Sequence, residues 1–175
     1  DLHPRVRRQR QMCIRDREDD GNYKMNPPLR SKEDVEALKE GLKNGTMDVI
    51  STDHAPHAKE EKNRSISQAA FGIVGLETSA ALTYTELVKT GYLSVIGMAE
   101  KMSYNPAKVL GLEDKGSVSE GMTADLVIFD PNKQYKIDKS TFASKGKNTP
   151  FDGYEVCGEV AYTLVDGKIV YDRNK

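Results

Sequence analysis

The chain has 175 residues, with 26 basic and 27 acidic side chains, a formal net charge of -1 and 37% hydrophobic residues. That balance gives no electrostatic case for nucleic acid or a membrane surface and leaves a small molecule as the default partner. One sizeable core fits this length, but a complete (β/α)8 barrel of about 250 residues does not.

Residues 1–20 hold Arg5, Arg7, Arg8, Arg10, Arg15 and Arg17 without an apolar period, then Glu18-Asp19-Asp20. This reads as a disordered or foreign tail, with a basic arm for nucleic acid or an acidic partner as the sharper alternative, and His3 receives no role. Tyr23 to Asn26 predicts a short strand, which must finish before Pro27-Pro28 because proline cannot continue a central strand. Ser31-Lys32-Glu33-Asp34 has the form of a capping box. Val35, Leu38 and Leu42 then give one helical stripe, ended by Asn44-Gly45. Met47 to Thr52 predicts the next strand, so that strand, helix and strand form a βαβ unit with parallel strands.

The charged stretch 58–70, with Lys59-Glu60-Glu61-Lys62, predicts a mobile loop. Leu76, Ala80, Thr83 and Leu87 mark a helix up to Gly91. Ser94 caps another helix with Val95, Met98 and Met102 on its apolar side, and Asn105-Pro106 opens a short separate one. The methionines read as core filler. After Gly116 the period changes. Residues 124–130 form an apolar strand, and 160–165 and 168–171 form a hairpin through Asp166-Gly167, the signal of a type I′ turn. Cys13 and Cys157 lie far apart with no Cys-x-x-Cys pattern, which points away from a disulfide framework or a zinc knuckle. With no apolar run near the roughly 18 residues of a spanning helix and no secretory h-region, the expected location is cytoplasmic.

Chemistry concentrates where the apolar run 47–51 ends in Thr52-Asp53-His54-Ala55-Pro56-His57. A buried strand closing in Asp, His and Pro delivers polar side chains to its C-terminal mouth, where barrel enzymes keep their active sites. The carboxylate can ligate a cation or move a proton, and the imidazole four residues on can meet an anionic substrate. The same spacing equally fits a capped turn after a core strand.

Taken with Asn26-Pro27-Pro28-Leu29-Arg30, Gly75-Leu76-Glu77-Thr78 and Lys147-Asn148-Thr149-Pro150-Phe151, the motif resembles the long-chain bacterial dihydroorotases of the amidohydrolase superfamily. The resemblance runs from about Gly21 to the C-terminus and covers only the C-terminal part of such an enzyme. It implies an α/β fold: the C-terminal part of a (β/α)8 TIM barrel of the metal-dependent hydrolase type in 21–112, and the C-terminal part of a small β-sandwich in 113–175, with an exposed sheet edge.

By this resemblance the parent enzyme interconverts (S)-dihydroorotate and N-carbamoyl-L-aspartate in de novo pyrimidine (UMP) biosynthesis, with zinc, usually two ions, as cofactor. Asp53 would ligate zinc and carry the proton. His57 would meet the substrate carboxylate and Asn26 the ring, while Phe71 and Gly72 would touch substrate through the backbone. His54 is a supporting or packing residue. None of His3, His54 and His57 corresponds to the four metal histidines of the family, so the chain alone is expected to be inactive. The alternatives are a related cyclic amidase (dihydropyrimidinase, hydantoinase or allantoinase) or a metal-free subunit scaffolding aspartate transcarbamoylase. A homodimer or a complex with that transcarbamoylase would be the protein partner.

Overall fold

The computed structural model describes residues 19–175. Its first element is a 3-10 turn, Gly21–Tyr23, capped by Asp20, whose carboxylate accepts from Asn22 N at 2.9 Å. Asp19 accepts from Ile66 N at 2.6 Å. Both carboxylates, assigned to the tail by sequence, are therefore bonded into the body. The arginine-rich stretch, His3 and Cys13 lie outside the described residues.

Helix α1, Lys32–Lys43, forms where the sequence predicts it. Ser31 Oγ accepts from Asp34 N, and the Asp34 carboxylate accepts from Ser31 N, each at 3.3 Å. This reciprocal pair satisfies two amides at the helix start. The stripe deepens along the helix, from half-buried Val35 and Leu38 to fully buried Leu42. Asn44 and then Gly45, at φ 81°, end it.

The strands expected on either side of α1 are not formed: among the described residues neither 23–26 nor 47–52 enters a β ladder. For 47–52 the reason is where its backbone bonds go. Met47 N donates to Gly41 O and Ile50 N to Lys101 O, both at 2.9 Å. Lys101 Nζ reaches Met47 O at 2.6 Å, and Asn105 Nδ2 reaches Asp48 O at 2.9 Å. The segment is satisfied by helices, while Met47 and Ile50 are buried as their sequence predicts.

The supposed mobile loop holds one helical turn, α2, Lys59–Lys62, and is closed by its own bonds, including Ala70 N to Glu61 O at 3.1 Å. Helix α3, Ser79–Thr83, runs on as a π-turn, Tyr84–Val88, and the chain turns at Gly91. Ser94 Oγ accepts from Gly97 N at 2.9 Å and starts α4, Val95–Ala99. A π-turn, Glu100–Tyr104, joins α4 directly to α5, Asn105–Val109, so the separate helix expected at Asn105-Pro106 is the end of one continuous rod. The register explains it. Asn105 N bonds Glu100 O, five residues back, and the same step from Pro106, which has no N–H, leads to Lys101 O. That carbonyl is left for Ile50 N. Val95, expected on the buried stripe, is exposed.

Three antiparallel strands follow in the order β1-β2-β3: β1, Leu126–Lys136; β2, Glu155–Val165; β3, Lys168–Asp172. β1 outruns the predicted 124–130 because an irregularity between Asp130 and Gln134 accommodates Pro131. Asp166 and Gly167 both have positive φ, 50° and 73°, as a type I′ turn requires. Gly158 admits the Phe129 ring, which lies 2.3 Å from where a Cβ would stand. Phe129 in turn packs edge-on against Tyr84 at 5.3 Å between centroids, docking the sheet on the helices.

Two apolar clusters make the core. Leu42, Met47, Ile50 and Leu87 form one; Ala81, Leu82, Ile137, Phe151 and Val156 form the other. The helix from Ser79 to Val88 supplies both and joins them. Among the described residues no helix is long and apolar enough to cross a membrane.

Candidate functional site

The chain leaves the 47–50 segment, anchored by buried Met47 and Ile50, through Asp53, which sits at φ 47° with its residue surface exposed. Aspartate tolerates this left-handed conformation better than most side chains. Beyond the bend, Ala55 N donates to Ile73 O at 3.0 Å. His54 bonds the same segment further along, its Nδ1 accepting from Gly75 N at 3.1 Å and Leu76 N at 3.4 Å. With Nδ1 an acceptor, the neutral ring carries its proton on Nε2. The ring caps the Gly75-Leu76 turn, the supporting part given to it by sequence.

His57 is the hub. Its N–H donates to Asn148 Oδ1 at 2.9 Å, its Nε2 lies 2.8 Å from Phe71 O, and its Nδ1 lies 3.5 Å from a Glu61 carboxylate oxygen. A carbonyl thus stands at one ring nitrogen and a carboxylate near the other. Gly72 has φ 120°, and a Cβ there would stand 2.5 Å from Ala55 Cβ and 3.5 Å from His57 Nε2. Only glycine lets these two loops approach so closely. Gly72 N donates to Lys24 O at 3.0 Å, while its carbonyl accepts from Lys62 Nζ at 2.9 Å and Asn148 Nδ2 at 3.2 Å. The exposed Phe71 ring carries the Lys24 ammonium 4.5 Å above its centroid.

His57, Phe71 and Gly72 are thus brought together directly. Asn26 is exposed, precedes a cis peptide bond to Pro27, and stands two residues beyond Lys24, whose carbonyl holds Gly72. Asp53 stands two residues before Ala55, whose carbonyl accepts from Asn148 Nδ2 at 2.9 Å. Two members were not singled out from the sequence. Asn148 is almost fully buried and staples three backbone groups, His57 N, Ala55 O and Gly72 O. It stood inside the Lys147 to Phe151 string without a role. Lys62 is buried although it ends a Lys-Glu-Glu-Lys run, and such a run reads as a solvated face.

The cluster brings an imidazole, an ammonium and a side-chain amide onto one backbone segment, Phe71-Gly72. It does not by itself fit a metal centre. Among the described residues no group of three or more His, Cys, Asp and Glu is placed to hold an ion, and a catalytic zinc needs about three protein ligands.

Residues 12–170 match the amidohydrolase family, a span that begins upstream of Gly21. The chain is 53% identical over 156 residues to the dihydroorotase of Bacillus licheniformis, covering 89% of this chain and 36% of that protein. It is 49% identical over 156 residues to the dihydroorotase of Caldanaerobacter subterraneus subsp. tengcongensis, with the same coverage. Among solved structures, L-hydantoinase (dihydropyrimidinase) from Arthrobacter aurescens superposes with a TM-score of 0.82 at 39% identity, over 87% of this chain and 35% of that one. A D-hydantoinase superposes with a TM-score of 0.83 at 31% identity, over 89% and 35%. The chain therefore spans little more than a third of the length of the relatives it matches.

Proposed function

The chain belongs to the amidohydrolase family, and from that premise we propose that it is the C-terminal part of a dihydroorotase. The whole enzyme would hydrolyse the cyclic amide of (S)-dihydroorotate to N-carbamoyl-L-aspartate, and the reverse, in cytoplasmic pyrimidine biosynthesis. The observation that carries this reading over the hydantoinases is the 53% identity to a dihydroorotase, against 39% to an L-hydantoinase of matching fold. In this reading 21–112 is the closing part of the barrel and 113–175 part of a β-sandwich. Among the described residues the strands all lie from Leu126 onward, which supports that division.

Within the site, Asp53 takes a proton from the attacking water and returns it to the leaving nitrogen. His57 meets the substrate carboxylate, exchanging the Phe71 carbonyl or the Glu61 carboxylate for the ligand. Asn26 pairs with the ring amide, and the backbone at Phe71-Gly72 lies against it. Zinc is the proposed cofactor of the whole enzyme. Asp53 is the one ligand this chain would bring to it, and the other ligands would come from residues not present here.

Expression of the whole protein and an absorbance assay with dihydroorotate test the proposal. Turnover is the expected result; hydrolysis of hydantoin or dihydrouracil with none of dihydroorotate would replace it with the cyclic-amidase reading.

A further inference from the structure

Lys62 is 3% exposed, and its ammonium donates to Ala70 O and Gly72 O at 2.9 Å and to Lys24 O at 3.2 Å. Three acceptors for three N–H groups is the full complement of a lysine. All three are main-chain carbonyls, so the charge is held by dipoles. Burial pushes the Lys62 pKa down, the Asp20 carboxylate offsets part of this, and Lys24 adds to it. Burying a cation in this way is unfavourable unless its bonds are complete, so the three carbonyls must keep their places while it is charged.

The bonds close a ring through the proposed substrate segment. Lys62 Nζ holds the Lys24 and Gly72 carbonyls, and Gly72 N donates to that same Lys24 carbonyl at 3.0 Å. Lys24 leads to Asn26, and Ala70 and Gly72 flank Phe71. Gly21 seals the turn from behind, since a Cβ there would stand 2.3 Å from Lys62 O. We infer that Lys62 is a positioning residue: its ammonium clamps residues 24 and 70–72 and thereby sets the backbone that substrate contacts. This rests on the proposed reading of Phe71 and Gly72 as substrate contacts.

Lys62→Met in the whole enzyme keeps the length and removes charge and donors. The expected result is a KM for dihydroorotate raised about tenfold or more, with kcat changed less than about threefold, because an orienting contact acts chiefly on binding. Amide exchange at Gly72 should quicken by about tenfold or more while the amides of α1 stay unchanged, a local opening that a general loss of stability would not produce. Should Lys62→Met fail to fold, Lys62→Arg, which keeps the charge with a different donor geometry, is expected to move both readouts in the same direction by less. Unchanged exchange at Gly72 would overturn the clamp. Faster exchange with unchanged KM would overturn its part in substrate positioning. Failure of the unmodified enzyme to act on dihydroorotate would sink the functional reading, and the exchange result would still decide the clamp.

Discussion

Asp53 and His57 are four residues apart, yet their surroundings differ: Asp53 is exposed, while His57 is held by Asn148 and stands against Phe71 O and Glu61. The left-handed conformation at Asp53 sends the chain away from the 47–50 segment, and Asn148 then fixes His57 from 91 residues further on. Asp53→Ala in the whole enzyme should lower kcat by roughly 10²- to 10⁴-fold, the usual range for losing a general acid-base group. Metal content measured on the same samples separates lost chemistry from lost cofactor. A kcat within a few-fold of the unmodified enzyme, with metal retained, would remove Asp53 from the chemical step. At this scale the sequence pointed to His57, Phe71 and Gly72, which the fold brings together. It did not show Lys62 or Asn148, because their importance lies in backbone carbonyls and amides supplied by distant segments, and a backbone group leaves no signature in residue type.

Local signals decided the elements whose hydrogen bonds are internal. The capping box of α1, the Ser94 cap and the Asp166-Gly167 turn all form as their residues dictate. Segments 23–26 and 47–52 read as strands by sequence, but a strand also needs a ladder partner. For 47–52 the helix rod takes that part through Lys101 and Asn105. Carboxylates around the sheet end suggest a further test.

Asp125 is held below the ordinary aspartate value because the Lys115 ammonium bonds it, helped by the Asp166 N–H. Asp114 is lowered by the Thr123 hydroxyl, and Asp130 by the Asn132 N–H and then Arg173. A folded-state value below the unfolded one adds stability that is present above the unfolded value of 3.8 and is lost as pH falls through the folded one. Thermal melts of the whole enzyme should therefore weaken as pH drops below about 4, and Asp125→Asn should flatten part of that dependence. A variant with an unaltered acid profile would show that the Lys115 pair contributes nothing, the outcome that screening gives many exposed pairs.

At the scale of the molecule, two clusters joined by one helix hold the helical half to the sheet, while several large apolar side chains stay exposed. Val127 and Ile128 on β1 and Ile169, Val170 and Tyr171 on β3 are each about half exposed or more. The change of period after Gly116 made the sheet legible in the sequence, because alternation and turn residues are local. The way Ala81 and Leu82 share a cluster with Ile137, Phe151 and Val156 was not, because packing across the expected boundary depends on shape.

What separates a dihydroorotase from the hydantoinases that share its fold is a carboxylate on the ring. The most direct measurement is kcat/KM for dihydroorotate against dihydrouracil, its counterpart without the carboxylate, in the whole enzyme and in His57→Ala. The unmodified enzyme should prefer dihydroorotate by about a hundredfold or more, and His57→Ala should reduce that preference by about tenfold or more, since a charged contact left unmade is worth one to three kcal/mol. Preference for dihydrouracil in the unmodified enzyme, or a preference for dihydroorotate that survives His57→Ala intact, would contradict the assignment of substrate and residue.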